Sequence, residues 1–288
     1  MSQINQVKIK EWYKNKLTKY NIFPLLKNRT VDFITPREIV KEKGIKRSAF
    51  RYINIKSFTG LDFNIEKGEV VEMDRNFYCS VATLNDSFNG INIVNRLEEK
   101  QLRAEINANF ESYVTGYDFK IDIDNPDLTQ AHKEAVKVAE ILDSFNVPYY
   151  VIFSGNKGFN FTVDTKFIPE DIKVLDRPEY FKKIVSKIQE KENLPSLDLE
   201  VYTIGRVFKV PYSIERHKDL VALPLDRTQL NNFNVDEMKL DYVIQNLKLM
   251  NRGLLTRPGT TENVNNFFKA YDKKIGFIGR IKKAWGEA

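Results

Sequence analysis

The stretch Asp118-Phe119-Lys120-Ile121-Asp122-Ile123-Asp124 alternates polar and apolar residues at every step. Side chains on a strand point to opposite faces in turn, so this pattern dictates a strand with one core face and one charged face. Phe119, Ile121 and Ile123 share the inner face, and Asp118, Lys120, Asp122 and Asp124 share the other. Asp122 and Asp124 then stand roughly 7 Å apart at Cα, within reach of one divalent ion or of two adjacent ions. Mutual repulsion makes such a pair costly without a cation. A solvated strand face with chance acidic residues gives the same alternation. The next segment adds context: Ala131, Ala135, Val138, Leu142 and Phe145 recur at helical spacing over 128–146, as a helix covering the apolar face requires.

Elsewhere the pattern predicts mixed strands and helices, hence an α+β (mixed α/β) chain. Helices are expected at 6–20, after Thr35-Pro36 with Gly44 as the stop, from Asp176 to about 193, and at 235–250 and 261–274. Short strands are expected at 49–55, 69–73, 76–82, 148–153, 159–163, 198–203 and 206–210. Three units are expected: 1–105, 106–230 and 231–288.

Composition limits the chemistry. One cysteine, Cys79, and two histidines, His132 and His217, exclude an internal disulfide and a Cys-rich zinc site. A metal would have to use carboxylates, which suit magnesium or manganese. No apolar run of about 18 residues predicts a membrane span, and the first residues carry no secretory h-region, so a cytoplasmic chain is expected. The net charge of +6 permits a polyanionic partner without requiring one.

Two further segments carry polar groups suited to chemistry. Ser154-Gly155-Asn156-Lys157-Gly158 joins two strands, and Asn160 follows on the second. Its exposed amides and lysine suit a phosphate, although Gly, Asn and Lys also build ordinary hairpins. Asp198 begins a third acidic and apolar alternation, with Arg206, Lys209, Arg216, His217 and Lys218 soon after. Carboxylates beside a basic group suit a metal–triphosphate site, and a solvated loop would look the same in sequence.

In order, these segments resemble the archaeo-eukaryotic primase superfamily, whose members carry an hhhDhD strand, an SGxxGxH loop and a D-x-x-V…R-x-x-[RK]-x-P-x-S segment. Here they stand as Phe119–Asp124, Ser154–Asn160 and Asp198–Ser213. Pro36-Arg37-Glu38-Ile39, Lys46–Arg51 and Asn76–Ala82 are similar to N-terminal segments of the small catalytic primase subunit, and the resemblance covers about residues 10–225. It implies an RRM-like sheet flanked by helices, preceded by an N-terminal α/β unit. It also implies a primase or primase-polymerase, a nucleotidyltransferase that makes an RNA or DNA primer on a single-stranded DNA template from NTP or dNTP. Asp122, Asp124 and Asp198 would bind two magnesium or manganese ions. Ser154, Gly155, Lys157, Asn160, Lys209 and His217 would hold the nucleotide, with Arg37 lining the site. A large primase subunit or a helicase would be the protein partner. The place of work would be the nucleoid, or the nucleus in a eukaryote.

The chain departs from the family pattern in four places. The loop histidine is Asn160, which donates a hydrogen bond but carries no charge. The basic residue often found in the loop is Asn156. The later S-x-H is Ser213-Ile214-Glu215, with His217 two places on as the alternative histidine. The zinc element of many members cannot be present. Two other readings therefore stay open: an end-joining repair polymerase, and a weakened nucleic-acid-binding initiation subunit. The aromatic and basic segment 261–285 is expected to close on the chain's own core, with partner or nucleic-acid docking as the alternative.

Overall fold

The computed structural model describes residues 3–34, 37, 40–41, 44, 49–52, 76–89, 108–246, 254 and 256–272. The strand expected at 69–73, most of 35–48 and everything beyond 272 lie outside the described residues.

The chain folds as an α+β protein built around two four-stranded antiparallel sheets. The first contains β1 (Val31–Ile34), β2 (Ala49–Tyr52), β3 (Asn76–Ser80) and, from far along the chain, β9 (Val207–Lys209), in the order β2-β1-β3-β9. Short strands β4 (Ala82–Leu84) and β5 (Val114–Tyr117) pair with each other. The second large sheet has the order β12-β7-β8-β6, from β6 (Phe119–Asp124), β7 (Tyr150–Phe153), β8 (Gly158–Val163) and β12 (Pro224–Leu225). A two-residue pair, β10 (Ile214–Glu215) with β11 (Leu220–Val221), closes the wall next to β9. Because β9 joins the N-terminal sheet, the segment after Asp198 is carried across to face the Asp122 strand.

The apolar face of β6 goes inward as its alternation requires: Phe119, Ile121 and Ile123 are buried. Three long helices follow β6 in the chain. Helix α3 (Leu128–Ser144) is capped by Asp127, whose carboxylate accepts from the Thr129 N–H at 2.9 Å. Helix α4 (Arg177–Glu192) and helix α5 (Thr261–Asp272) bring Phe181 and Phe268 edge-on to Phe119, with ring centroids 5.0 and 5.1 Å away. Within the described residues the C-terminal aromatics thus close on the core: Phe267, Phe268 and Tyr271 are buried.

Some expected elements differ. The single helix at 6–20 is two, α1 (Gln3–Lys14) and α2 (Lys16–Leu26). The strand expected at 198–203 is a single 3-10 turn, Leu199–Val201, because the Asp198 carboxylate accepts from the Glu200 N–H and starts the turn. The helix expected at 235–250 splits into a 3-10 segment, Val235–Met238, and a short helix, Leu240–Gln245; Asn234 caps the first.

Candidate active site between the two sheets

Asp122 and Asp124 stand on the face of β6 turned away from the helices. In the β6–β8 register Asp122 lies opposite Asn160 and Asp124 opposite Gly158. Asn160 Nδ2 donates to Asp122 Oδ1, and Lys157 Nζ lies 3.1 Å from Asp124 Oδ2. Gly158 is required here: a Cβ would sit 1.8 Å from the Ile123 carbonyl oxygen, backbone that cannot swing aside. Gly155 turns at φ +78°, and a Cβ there would reach 3.3 Å from Glu215 Cβ. The loop therefore presses against the facing wall.

Asp198 reaches the pair through backbone contacts. Its N–H donates to the Asp122 carbonyl at 2.9 Å, and the Asp124 N–H donates to the Ser196 carbonyl at 2.9 Å. Ser196 is itself held by Glu134 of α3, whose carboxylate accepts from Ser196 N–H (2.9 Å) and Oγ (2.6 Å). Sequence reasoning missed Glu134; its signal was an acid inside the Ala131, Ala135, Val138 stripe. The proximity of the three acids shows in their electrostatics. Burial, then Asp124, then Asp198 push the Asp122 carboxyl up to about 7, while Arg206 and Lys120 act in the opposite sense.

The facing wall carries Lys209 and Glu215, both buried and joined in an ion pair. Asn76 Nδ2 also donates to Glu215 at 2.8 Å, and the His217 N–H at 3.4 Å. Burial alone would raise the Glu215 carboxyl, but Lys209 and these donors outweigh it and hold it below its ordinary value. Between the walls is a cleft of about 180 Å³. Asp122 and Asp124 line it with Ser154, Lys157 and Asn160 on one side, and Lys209 and Glu215 on the other. Asp198 stands beside this lining rather than in it. The His217 side chain is exposed and Arg37 is exposed; neither lines the cleft. His132 packs between Phe159 and Phe233, its Nε2 at 2.6 Å from the Leu230 carbonyl.

Asp118 belongs to the scaffold. It is buried, accepts from Arg29 Nη2 at 2.7 Å and from the Thr165 N–H at 3.0 Å.

Among the described residues, no three His, Cys, Asp or Glu side chains stand together as a ready metal cage. Each acid has its own partner instead: Asp122 with Asn160, Asp124 with Lys157, Asp198 with the Glu200 N–H. The donor set nevertheless fits a hard divalent cation. It consists of carboxylate oxygens, and crowding has made one of them abnormally basic, a cost that a cation relieves.

No family model matches the chain, and no curated protein matches it. Solved structures do. The polymerase domain of Mycobacterium tuberculosis ligase D, solved in complex with DNA, superposes with a TM-score of 0.52 at 12% identity, over 86% of this chain and 93% of that one. The AEP domain of the cyanophage S-2L primase-polymerase gives 0.38 at 13% identity, covering 74% and 96%. The catalytic domain of the primase Repb′, solved with initiator DNA, gives 0.38 at 7% identity, covering 82% and 96%. At such identity the likeness is one of fold, and the chain has the mixed α+β fold of the ligase D polymerase domain.

Proposed function

We propose that this chain is a template-directed nucleotidyltransferase of the primase-polymerase kind, acting on DNA with NTP or dNTP. One observation carries the reading: the fold brings Asp122, Asp124 and Asp198 to one point, beside the Ser154–Gly158 loop and opposite Lys209. These segments are distant in sequence, and a scaffold has no need to crowd three carboxylates.

Asp122, Asp124 and Asp198 would hold magnesium or manganese, which would supply charge stabilisation for the attacking 3′ hydroxyl and the departing pyrophosphate. The chain's own groups orient the nucleotide. Lys157 can turn from Asp124 to a phosphate once the aspartate is otherwise engaged, and the loop amides and Ser154 add donors. Asn160 holds Asp122 in place by its amide.

Lys209 starts from a different state, because Glu215 already occupies it. A triphosphate must displace a buried carboxylate to reach that ammonium. Glu215→Gln removes the competing charge and keeps an acceptor for Asn76. It leaves Lys209 buried without its counter-ion, so melting without nucleotide falls. Nucleotide then restores the missing charge: apparent affinity rises on the order of tenfold, and nucleotide shifts the melting temperature more than in the natural chain. Thermal melts across a nucleotide titration check both signs. Unchanged affinity would remove Lys209 from the nucleotide site.

Extension of a primer on single-stranded DNA with magnesium or manganese tests the main reading. A repair-type polymerase is the second reading, supported by the ligase D likeness. Unprimed synthesis from free nucleotides favours the primase form; filling a gap before a 5′-phosphate, without unprimed synthesis, favours the repair form.

A further inference from the structure

Lys120 interrupts the apolar lead-in to Asp122 and has no task in the cleft just described. It projects from β6 on the charged face and borders a second cavity, of about 450 Å³, that shares only Phe208 and Lys209 with the first. The charges around this cavity do not balance. Asp118 is committed to Arg29, and Asp164 caps the Lys166 N–H at 2.9 Å. Lys209 is committed to Glu215. Lys120 and Lys27 are left. Among the described residues no carboxylate lies within ion-pair distance of either. Lys120 is mostly buried and donates to the neutral Thr162 hydroxyl at 2.7 Å. Its Nζ otherwise meets ring faces, 5.3 Å from the Phe208 centroid and 5.8 Å from that of Tyr150. Burial holds its pKa below the ordinary lysine value.

We propose that this cavity is a binding site for a small phosphate-bearing ligand, a nucleoside monophosphate, with Lys120 as the inner phosphate contact and Lys27 at the rim. A buried ammonium without a counter-ion is costly, and an incoming anion supplies one. The volume lies within the range of small-molecule pockets and exceeds what a bare ion needs. The Tyr150 and Phe208 rings offer faces to a base. Binding here needs neither metal nor template, so it stands or falls apart from the polymerase reading.

The test is calorimetric titration of the full chain, in EDTA, with adenosine 5′-monophosphate, adenosine and inorganic phosphate. The monophosphate binds, and more tightly than either fragment. Lys120→Met weakens it on the order of tenfold or more, Lys120→Arg keeps most of it, and Lys157→Ala, in the other cleft, leaves it within about twofold. If Lys120→Met folds poorly, the Lys120→Arg result and the melting shift of the natural chain with monophosphate against adenosine decide. Four results overturn the proposal: no binding up to about 10 mM, equal binding of adenosine, equal binding by Lys120→Met, or loss in Lys157→Ala.

Discussion

Replacing Asp122 and Asp124 together by alanine is expected to abolish template-dependent incorporation while leaving the chain folded. Losing the metal-held charge stabilisation is worth several kcal/mol, and at about 1.4 kcal/mol per decade that means a drop on the order of 10³-fold or more. Stability should stay level or rise. Burial and two neighbouring acids make ionised Asp122 unfavourable in the fold, so its removal relieves a cost, and only the contact with Asn160 is lost. The opposite pattern, lost folding with activity kept per folded molecule, would make the pair structural. Incorporation rates paired with melting curves distinguish the two.

The second large effect is on stability. Arg29→Ala should destabilise the protein by about 3–5 kcal/mol, the cost of leaving a buried carboxylate unpaired. Asp118 is 4% exposed at its side chain and Arg29 14%, so solvent does little to compensate. Burial opposes the Arg29 charge, yet Asp118 wins and holds the guanidinium pKa above its ordinary value. Arg29 also donates to the Ser80 carbonyl at 2.8 Å and the Val81 carbonyl at 2.5 Å, which ties the N-terminal sheet to the start of β6. For a chain of this size the loss amounts to roughly 10 °C in melting temperature. The double variant Arg29→Met with Asp118→Leu should recover part of it, since the stranded charge is gone. A melting temperature unchanged by Arg29→Ala would mean that the pair adds nothing.

The parts legible in sequence were those with a local period. Strand 119–124, the helix at 128–144, the Ser154–Gly158 connection and the helix at 177–192 each announce themselves by alternation, helical recurrence or turn residues. The acidic alternation at 197–202 misled, because a local carboxylate-to-backbone bond at Asp198 beat strand pairing; only Leu197 bridges to Ile123. Contacts across long separations were out of reach. Nothing near Glu134 in sequence says that it will hold Ser196, 62 positions away. Nothing near Glu215 says that it will neutralise Lys209 beneath the glycine loop. Arg29 reads as one more basic residue until Asp118, 89 positions on, is set against it. The three acids were visible as candidates, and the chain path that gathers them was not, since it depends on β9 crossing to the N-terminal sheet.

The most direct measurement is single-nucleotide incorporation opposite each of the four template bases, with magnesium and with manganese. The nucleotide added should follow the template base, vanish in EDTA and vanish in the Asp122→Ala, Asp124→Ala variant. Addition indifferent to the template base, or no addition with either metal on primed and unprimed DNA, would contradict the account.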